Sequence, residues 1–234
     1  MTIDLGQTLQ TTCRGCGMSY YPSTPDDEAL HKRFHAKSTG GVDFTLKPPQ
    51  RVVWRAPEGD AYVLGVSRTA TAAEKRKAKE VMEVVDSELG AAEIDLWRKE
   101  EDEEVERFRV YLYVQGRKCV GLCLAERIKR AYCVVDDDGG PQGSVSVEET
   151  ARPALMGVSR IWTCSSHRRR GIAARLLDCA RETFIYGMHL EKSMVAFSQP
   201  TESGGGLARG WFCGDGRGKE GGVKQRWAVY VEEA

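Results

Sequence analysis

Residues Gly157 to Tyr186 read GVSRIWTCSSHRRRGIAARLLDCARETFIY. The stretch opens on a short apolar run, Val158, Ile161 and Trp162, which predicts a strand. It closes on Ala173, Leu176, Leu177, Ala180 and Phe184, apolar positions at the i, i+3, i+4, i+7 spacing of one helix face. Between the two lies a basic turn, Arg168, Arg169 and Arg170, ahead of Gly171. A glycine there lets the main chain approach a ligand, and the helix after it offers free N–H groups and the positive end of its dipole. That combination favours phosphate. No Gly-Lys-Ser/Thr follows, so this is not a Walker loop, and no G-x-G-x-x-G is present. On these residues alone a solvated basic turn that merely starts a helix stays open as the alternative.

The pattern Arg168-x-x-Gly171-x-Ala173 resembles the R/Q-x-x-G-x-G/A pyrophosphate turn of the GNAT superfamily of acetyl-CoA-dependent N-acetyltransferases. GVSRIW before the turn, FIYG from Phe184 to Gly187 and AFSQPTESGG from Ala196 to Gly205 resemble, more narrowly, the cohesion-establishing acetyltransferases of eukaryotes in their fungal form. The resemblance implies an α+β GNAT fold, a mixed and splayed central sheet flanked by helices, behind a small N-terminal ββα zinc finger. It implies acetyl-CoA as cosubstrate, with the pyrophosphate at Arg168, Arg169, Arg170, Gly171, Ile172, Ala173 and Ala174. The pantetheine arm is then expected along the main chain of Ile161, Trp162 and Thr163, with further cofactor contacts from Thr201, Glu202 and Ser203.

Two positions that carry acids in animal members of the family match Asp178 and Gln199 here. An amide cannot take a proton at neutral pH, so removal of the lysine proton falls to Asp178, a water chain or another group. Ser159 matches a position near the substrate lysine, and Trp162 and Gln199 are expected at the substrate. The residues themselves leave Asp178 as base or solvated helix residue, and Trp162 as core or pocket wall. The function implied is acetylation of the cohesin SMC subunit, at a lysine pair near its ATPase head, to establish sister-chromatid cohesion in S phase in the nucleus. Two other readings stand beside it: a GNAT enzyme for histones or small amines, and a non-catalytic zinc-finger adaptor, at which Gln199 hints.

Upstream, Cys13-x2-Cys16 and His31-x3-His35 have the order and spacing of a Cys2His2 site for structural Zn2+, with Leu30, Phe34 and Tyr20 or Tyr21 as its small core. The approach to the finger helix is Pro25, Asp26, Asp27 and Glu28, and acid at that end repels phosphate. A finger that docks or stabilises is therefore favoured over sequence-specific DNA binding. Ile3, Asp4 and Leu5, or Gln7, Thr8 and Leu9, resemble a remnant of the sliding-clamp-binding peptide of this family, without its aromatic pair.

The domain plan is a finger over 10–37, a Gly/Ser/Thr/Pro-rich linker over 38–50 and a transferase domain over 51–234. Within the last, short strands are expected at Val52 to Arg55 and Tyr62 to Ser67, and a charge-dense helical region from Ala72 to about Arg107. A hairpin follows through Gln115 to Lys118, then an acidic, Gly-rich mobile loop over 136–150. Further strands are expected at Met194 to Ser198 and Gln225 to Val231, with Gly204 to Ala208 a loop running into a short helix.

With 34 basic and 34 acidic residues in 234, formal charge is zero, and no global field argues for nucleic acid or membrane. No apolar stretch approaches the ~20 residues of a membrane span, and MTIDLGQTLQ lacks the profile of a secretory signal. A soluble, intracellular protein is expected, and the sequence leaves open whether a native extension precedes Met1. Eight cysteines are too few for a disulfide scaffold, so Cys119, Cys123, Cys133, Cys164, Cys179 and Cys213 are expected to be free thiols.

Overall fold

The computed structural model describes residues 10–46, 51–97, 105–135, 146–198, 202–213 and 226–231. It begins with a minimal hairpin, β1 (Thr11–Thr12) and β2 (Ser19–Tyr20), which leads into α1 (Pro25–Gly40). Proline in the first turn of α1 lacks an N–H that would have no partner there, and Asp26, Asp27 and Glu28 complement the positive helix end. The helix overruns the expected finger boundary. Its Ser38 is buried, and Gly41, at φ 84°, turns the chain straight into β3 (Val42–Asp43), paired antiparallel with Cys119 and Lys118. The expected linker over 38–50 is therefore corrected: Val42 and Phe44 are apolar enough to be fully buried, and they draw the segment into the main sheet. Residues 47–50 lie outside the described residues.

Strands β4 (Val52–Arg55) and β5 (Ala61–Val66) form a hairpin. Helix α2 (Ala72–Leu89) opens on a capping box in which Thr71 accepts from the Glu74 N–H and the Glu74 carboxylate accepts from the Thr71 N–H at 2.8 Å. It ends well short of Arg107, because Gly90 adopts the left-handed conformation (φ 63°) that closes a helix. Strands β6 (Phe108–Gln115) and β7 (Lys118–Arg127) are the expected hairpin, turned at Gly116. Every β7 residue from Cys119 to Glu126 is buried, as befits the central strand.

Strands β8 (Arg130–Val134) and β9 (Val147–Pro153) pair antiparallel, with Val134 opposite Val147. The expected mobile loop over 136–150 is thus corrected at its C-terminal end, where residues 147–150 are strand; 136–145 lie outside the described residues. An edge strand largely exposed on both faces has no one-sided apolar alternation for the sequence to display. Its ladder with β8 and a 2.7 Å ion pair from Glu148 to Arg226 hold it in place.

The chain ends through β10 (Met156–Thr163), α3 (Ile172–Thr183), β11 (Val195–Phe197), α4 (Glu202–Cys213) and β12 (Ala228–Val229). Gly204, Gly205 and Gly206, expected in a loop, lie inside α4, because burial of Ala208, Trp211 and Phe212 outweighs their poor helix propensity.

The main sheet runs β4-β5-β6-β7-β10-β11-β12-β8-β9, with β3 beside the start of β7. It is mixed: β11 is parallel to both β10 and β12, and the other pairs are antiparallel. Pairing between β10 and β11 covers only Met156 to Val158, whereas β10 runs on to Thr163. The sheet is splayed there. Arg160 and Trp162 point from β10 to Asp86 and Glu88 of α2, while Gly121, opposite Thr163, lies under Ile172 of α3. Since successive strand residues face opposite sides, α2 and α3 cover opposite faces of the sheet.

Candidate active site and metal centre

Cys13 and Cys16 come from the β1–β2 hairpin and His31 and His35 from one face of α1, and their ligand atoms all lie within 4.8 Å of one another. Tyr20 stacks on His31 with ring centroids 3.9 Å apart. His31 Nε2 is buried without a hydrogen-bond partner among the described residues, an orphan that a metal ion satisfies. The main chain of Cys16 and of Gly15, then His31, hold the Cys13 thiol down at about 6, while burial pushes Cys16 up. Two sulfurs and two imidazoles so placed fit tetrahedral Zn2+.

The basic turn lies where β10 leaves the sheet. A 3-10 turn over Ser165–His167 leads to Arg169, at φ 61° the single non-glycine residue of positive φ among the described residues, and then to Gly171 at φ 77°. Placing a side-chain-bearing residue there costs about 1–2 kcal/mol, strain that collects where a turn serves a ligand. No side chain caps α3, its first turn carries no acid, and the first intrahelical bond is Arg175 N–H to the Gly171 carbonyl. The N–H groups of Ile172, Ala173 and Ala174 therefore have no helical acceptor. Nothing comes within 4 Å of where a Gly171 Cβ would stand, so the approach is open. Arg169 and Arg170 are exposed beside it. Burial and then the Arg170 charge hold the His167 imidazole below its ordinary value, so it is neutral at pH 7.

Two expected site residues turn out to be committed elsewhere. Arg168 donates from Nη2 to Glu88 at 2.6 Å and from Nε to the Thr163 carbonyl at 3.1 Å, so its guanidinium braces the turn. Trp162 is 3% exposed, and its indole N–H donates to Glu88 at 2.8 Å; the expectation of a substrate-facing side chain is corrected, because β10 aims it into the core beneath α2. What β10 leaves toward the splay is the main chain of Ile161, Trp162 and Thr163, and the Thr163 hydroxyl is buried without a partner among the described residues.

Ser159 sits at a bulge of β10, its hydroxyl accepting from Arg160 at 2.8 Å and its carbonyl from the Ser198 hydroxyl at 3.0 Å. That ties the end of β11 to the point where the sheet parts. Asp178, on α3, is one-third exposed; its Oδ1 accepts from Trp211 Nε1 at 3.1 Å and Arg181 Nε at 3.2 Å. It therefore anchors α4 while remaining open to water. Gln199 and Thr201 lie outside the described residues, and Glu202 and Ser203 open α4. Sequence reasoning missed Trp211 and Glu88. Neither carried a local signal, Glu88 being one of many acids in a charge-dense helix.

A family model described as the ESCO1/2 acetyl-transferase matches residues 152–219, and one described as the zinc-finger of acetyl-transferase ESCO matches residues 1–37. The chain is 34% identical over 97% of its length to N-acetyltransferase eso1 of Schizosaccharomyces pombe and 37% identical over 90% to N-acetyltransferase ECO1 of Yarrowia lipolytica. It is 33% identical over 87% to N-acetyltransferase ESCO2 of Homo sapiens. It spans 26%, 70% and 34% of those three proteins. The solved xEco2 acetyltransferase domain bound to a CoA conjugate matches with a TM-score of 0.64 at 31% identity, covering 80% of this chain and 100% of that one. Acetyl-CoA suits the open turn and the stretch of β10 that runs on past its pairing with β11, as Zn2+ suits the finger.

Proposed function

Because the chain belongs to the Eco1/ESCO family of N-acetyltransferases, we propose that it acetylates the ε-amine of a protein lysine, and that the lysine lies near the ATPase head of the cohesin SMC subunit. The setting would be the nucleus in S phase, where the modification establishes cohesion. The observation that carries the transferase reading is the uncapped start of α3 behind two left-handed residues, set where β10 and β11 part.

Acetyl-CoA, when bound, supplies an acetyl group already activated as a thioester. The N–H groups of Ile172, Ala173 and Ala174, with Arg169 and Arg170 alongside, would hold its pyrophosphate without rearranging any side chain. The edge of Ile161 to Thr163 would hold the pantetheine arm by main-chain bonds, and Ser159 would stand near the amine. Attack needs a neutral amine, and Asp178, reached through water, is the proposed proton acceptor. Its two bound donors both fall on Oδ1.

The acid at the start of α1 supports a finger that meets protein in preference to DNA. Binding of the sliding clamp by the residues before it is part of the same proposal; those residues lie outside the described ones. No described helix is long and apolar enough to cross a membrane. The test incubates the chain and acetyl-CoA with the recombinant SMC head and, separately, with histone tails, reading acetyl-lysine by mass spectrometry. Modification of the head alone is expected. Transfer to histone tails alone favours the histone enzyme, and transfer to neither supports an adaptor.

A further inference from the structure

Glu88 lies at the end of α2 with its side chain only 14% exposed. Its Oε1 accepts from Arg168 Nη2 at 2.6 Å, and its Oε2 accepts from Ser38 Oγ at 2.7 Å and from Trp162 Nε1 at 2.8 Å. The three donors belong to the last turn of the finger helix, to β10 and to the basic turn. A second tie runs alongside, from Ser166 Oγ to the Thr39 carbonyl at 2.6 Å. One carboxylate thus joins the finger, the splayed strand and the turn.

We propose that Glu88 is the positioning residue of the cofactor turn: acting through Arg168, it fixes the left-handed path that leaves the first amides of α3 free. This rests on the acetyl-CoA reading of the turn. Arg168 is 55% exposed and has four rotatable side-chain bonds, so the turn it braces keeps its shape only while a charged acceptor holds the guanidinium. Glutamine at this position offers one acceptor oxygen in place of two and cannot serve three donors. Its three donors, Arg168, Ser38 and Trp162, are all protein groups, so its role is to position the turn.

The experiment titrates CoA into the zinc-loaded full chain and into Glu88→Gln, Arg168→Gln and the double variant by calorimetry, with steady-state kinetics and zinc content alongside. For Glu88→Gln an affinity loss of about tenfold is expected, the scale of one charge-assisted hydrogen bond. The acetyl-CoA KM should rise in parallel while kcat stays within about twofold and zinc is retained, a split that general loosening of the fold would not produce. The double variant should bind no more weakly than Arg168→Gln alone. Unchanged or tighter binding by Glu88→Gln, or losses that add in the double variant, overturns the proposal. Should Glu88→Gln fail to fold, Glu88→Asp decides on the same readouts, weaker binding at unchanged kcat supporting the role and wild-type affinity overturning it. A wild-type chain that binds no CoA overturns the proposed function itself.

Discussion

Gly121 decides how closely α3 can sit on the sheet. A Cβ at that position would meet Ile172 Cγ2 at 2.8 Å, Leu176 Cδ1 at 3.1 Å and the Trp162 carbonyl oxygen at 3.4 Å. Carbon atoms in contact rest about 3.5–4.0 Å apart, so in Gly121→Ala the Ile172 methyl must retreat by roughly 1 Å. That methyl is on a β-branched carbon held to one main rotamer in a helix, so the backbone at the start of α3 moves with it. Overpacking of this kind costs about 1–3 kcal/mol, which is about 2–12 °C in Tm for a chain of this size class. Ile172 also carries the first of the free N–H groups, so the displacement enters the turn, and a misplacement of about 1 Å can cost up to about 10²-fold. Scanning calorimetry and CoA titration on wild type and variant should show a lower Tm and an affinity weaker by about tenfold or more. A Tm within about 1 °C of wild type with unchanged affinity refutes the argument that this glycine seats the site.

Chelation of zinc should open Cys13 and Cys16 to a thiol reagent, whereas Cys119, pushed up to about 12 by burial, and Cys123, pushed higher still, stay unmodified. Peptide mapping that finds Cys119 labelled first contradicts this. In Asp178→Asn an oxygen remains at Oδ1 for Arg181 and Trp211, so fold and CoA affinity should persist while turnover falls by about 10²–10⁴. Turnover equal to wild type from about pH 6 to 9 removes Asp178 as the base. His167 is depressed below its ordinary value of about 6.5, so just below that pH the unfolded chain takes up a proton that the folded one refuses. Its contribution to stability therefore falls as the pH drops through that window. Its NMR titration midpoint should lie below about 6.5 in the free chain and rise when CoA binds; a midpoint at or above that value in the free chain contradicts the assignment.

The elements around the site were legible because their signals are local. Gly171 reads as the point where the main chain can approach a ligand, the apolar stripe of Leu176, Leu177 and Ala180 reads as a helix, and four ligands at finger spacing read as a metal site. What stayed hidden depends on partners far away in sequence. Ser38 looks like a linker residue until Glu88 stands beside it, and the sequence does not say that Arg168 turns back onto that same carboxylate. Strand β9 carries polar residues on both faces because it is an edge, and α4 is helical despite four glycines because Trp211 and Phe212 are buried against Phe197. The place of Trp162 was open on its residue type alone, and only the pairing of β10 with β7 settles which face it takes.

The central claim is that main-chain amides at the start of α3 grip the diphosphate of acetyl-CoA. Amide resonances recorded by NMR during a titration with CoA test it residue by residue. The account predicts that the N–H signals of Gly171, Ile172, Ala173 and Ala174 move furthest and move downfield. Saturable binding that leaves these four in place while signals elsewhere move would contradict it.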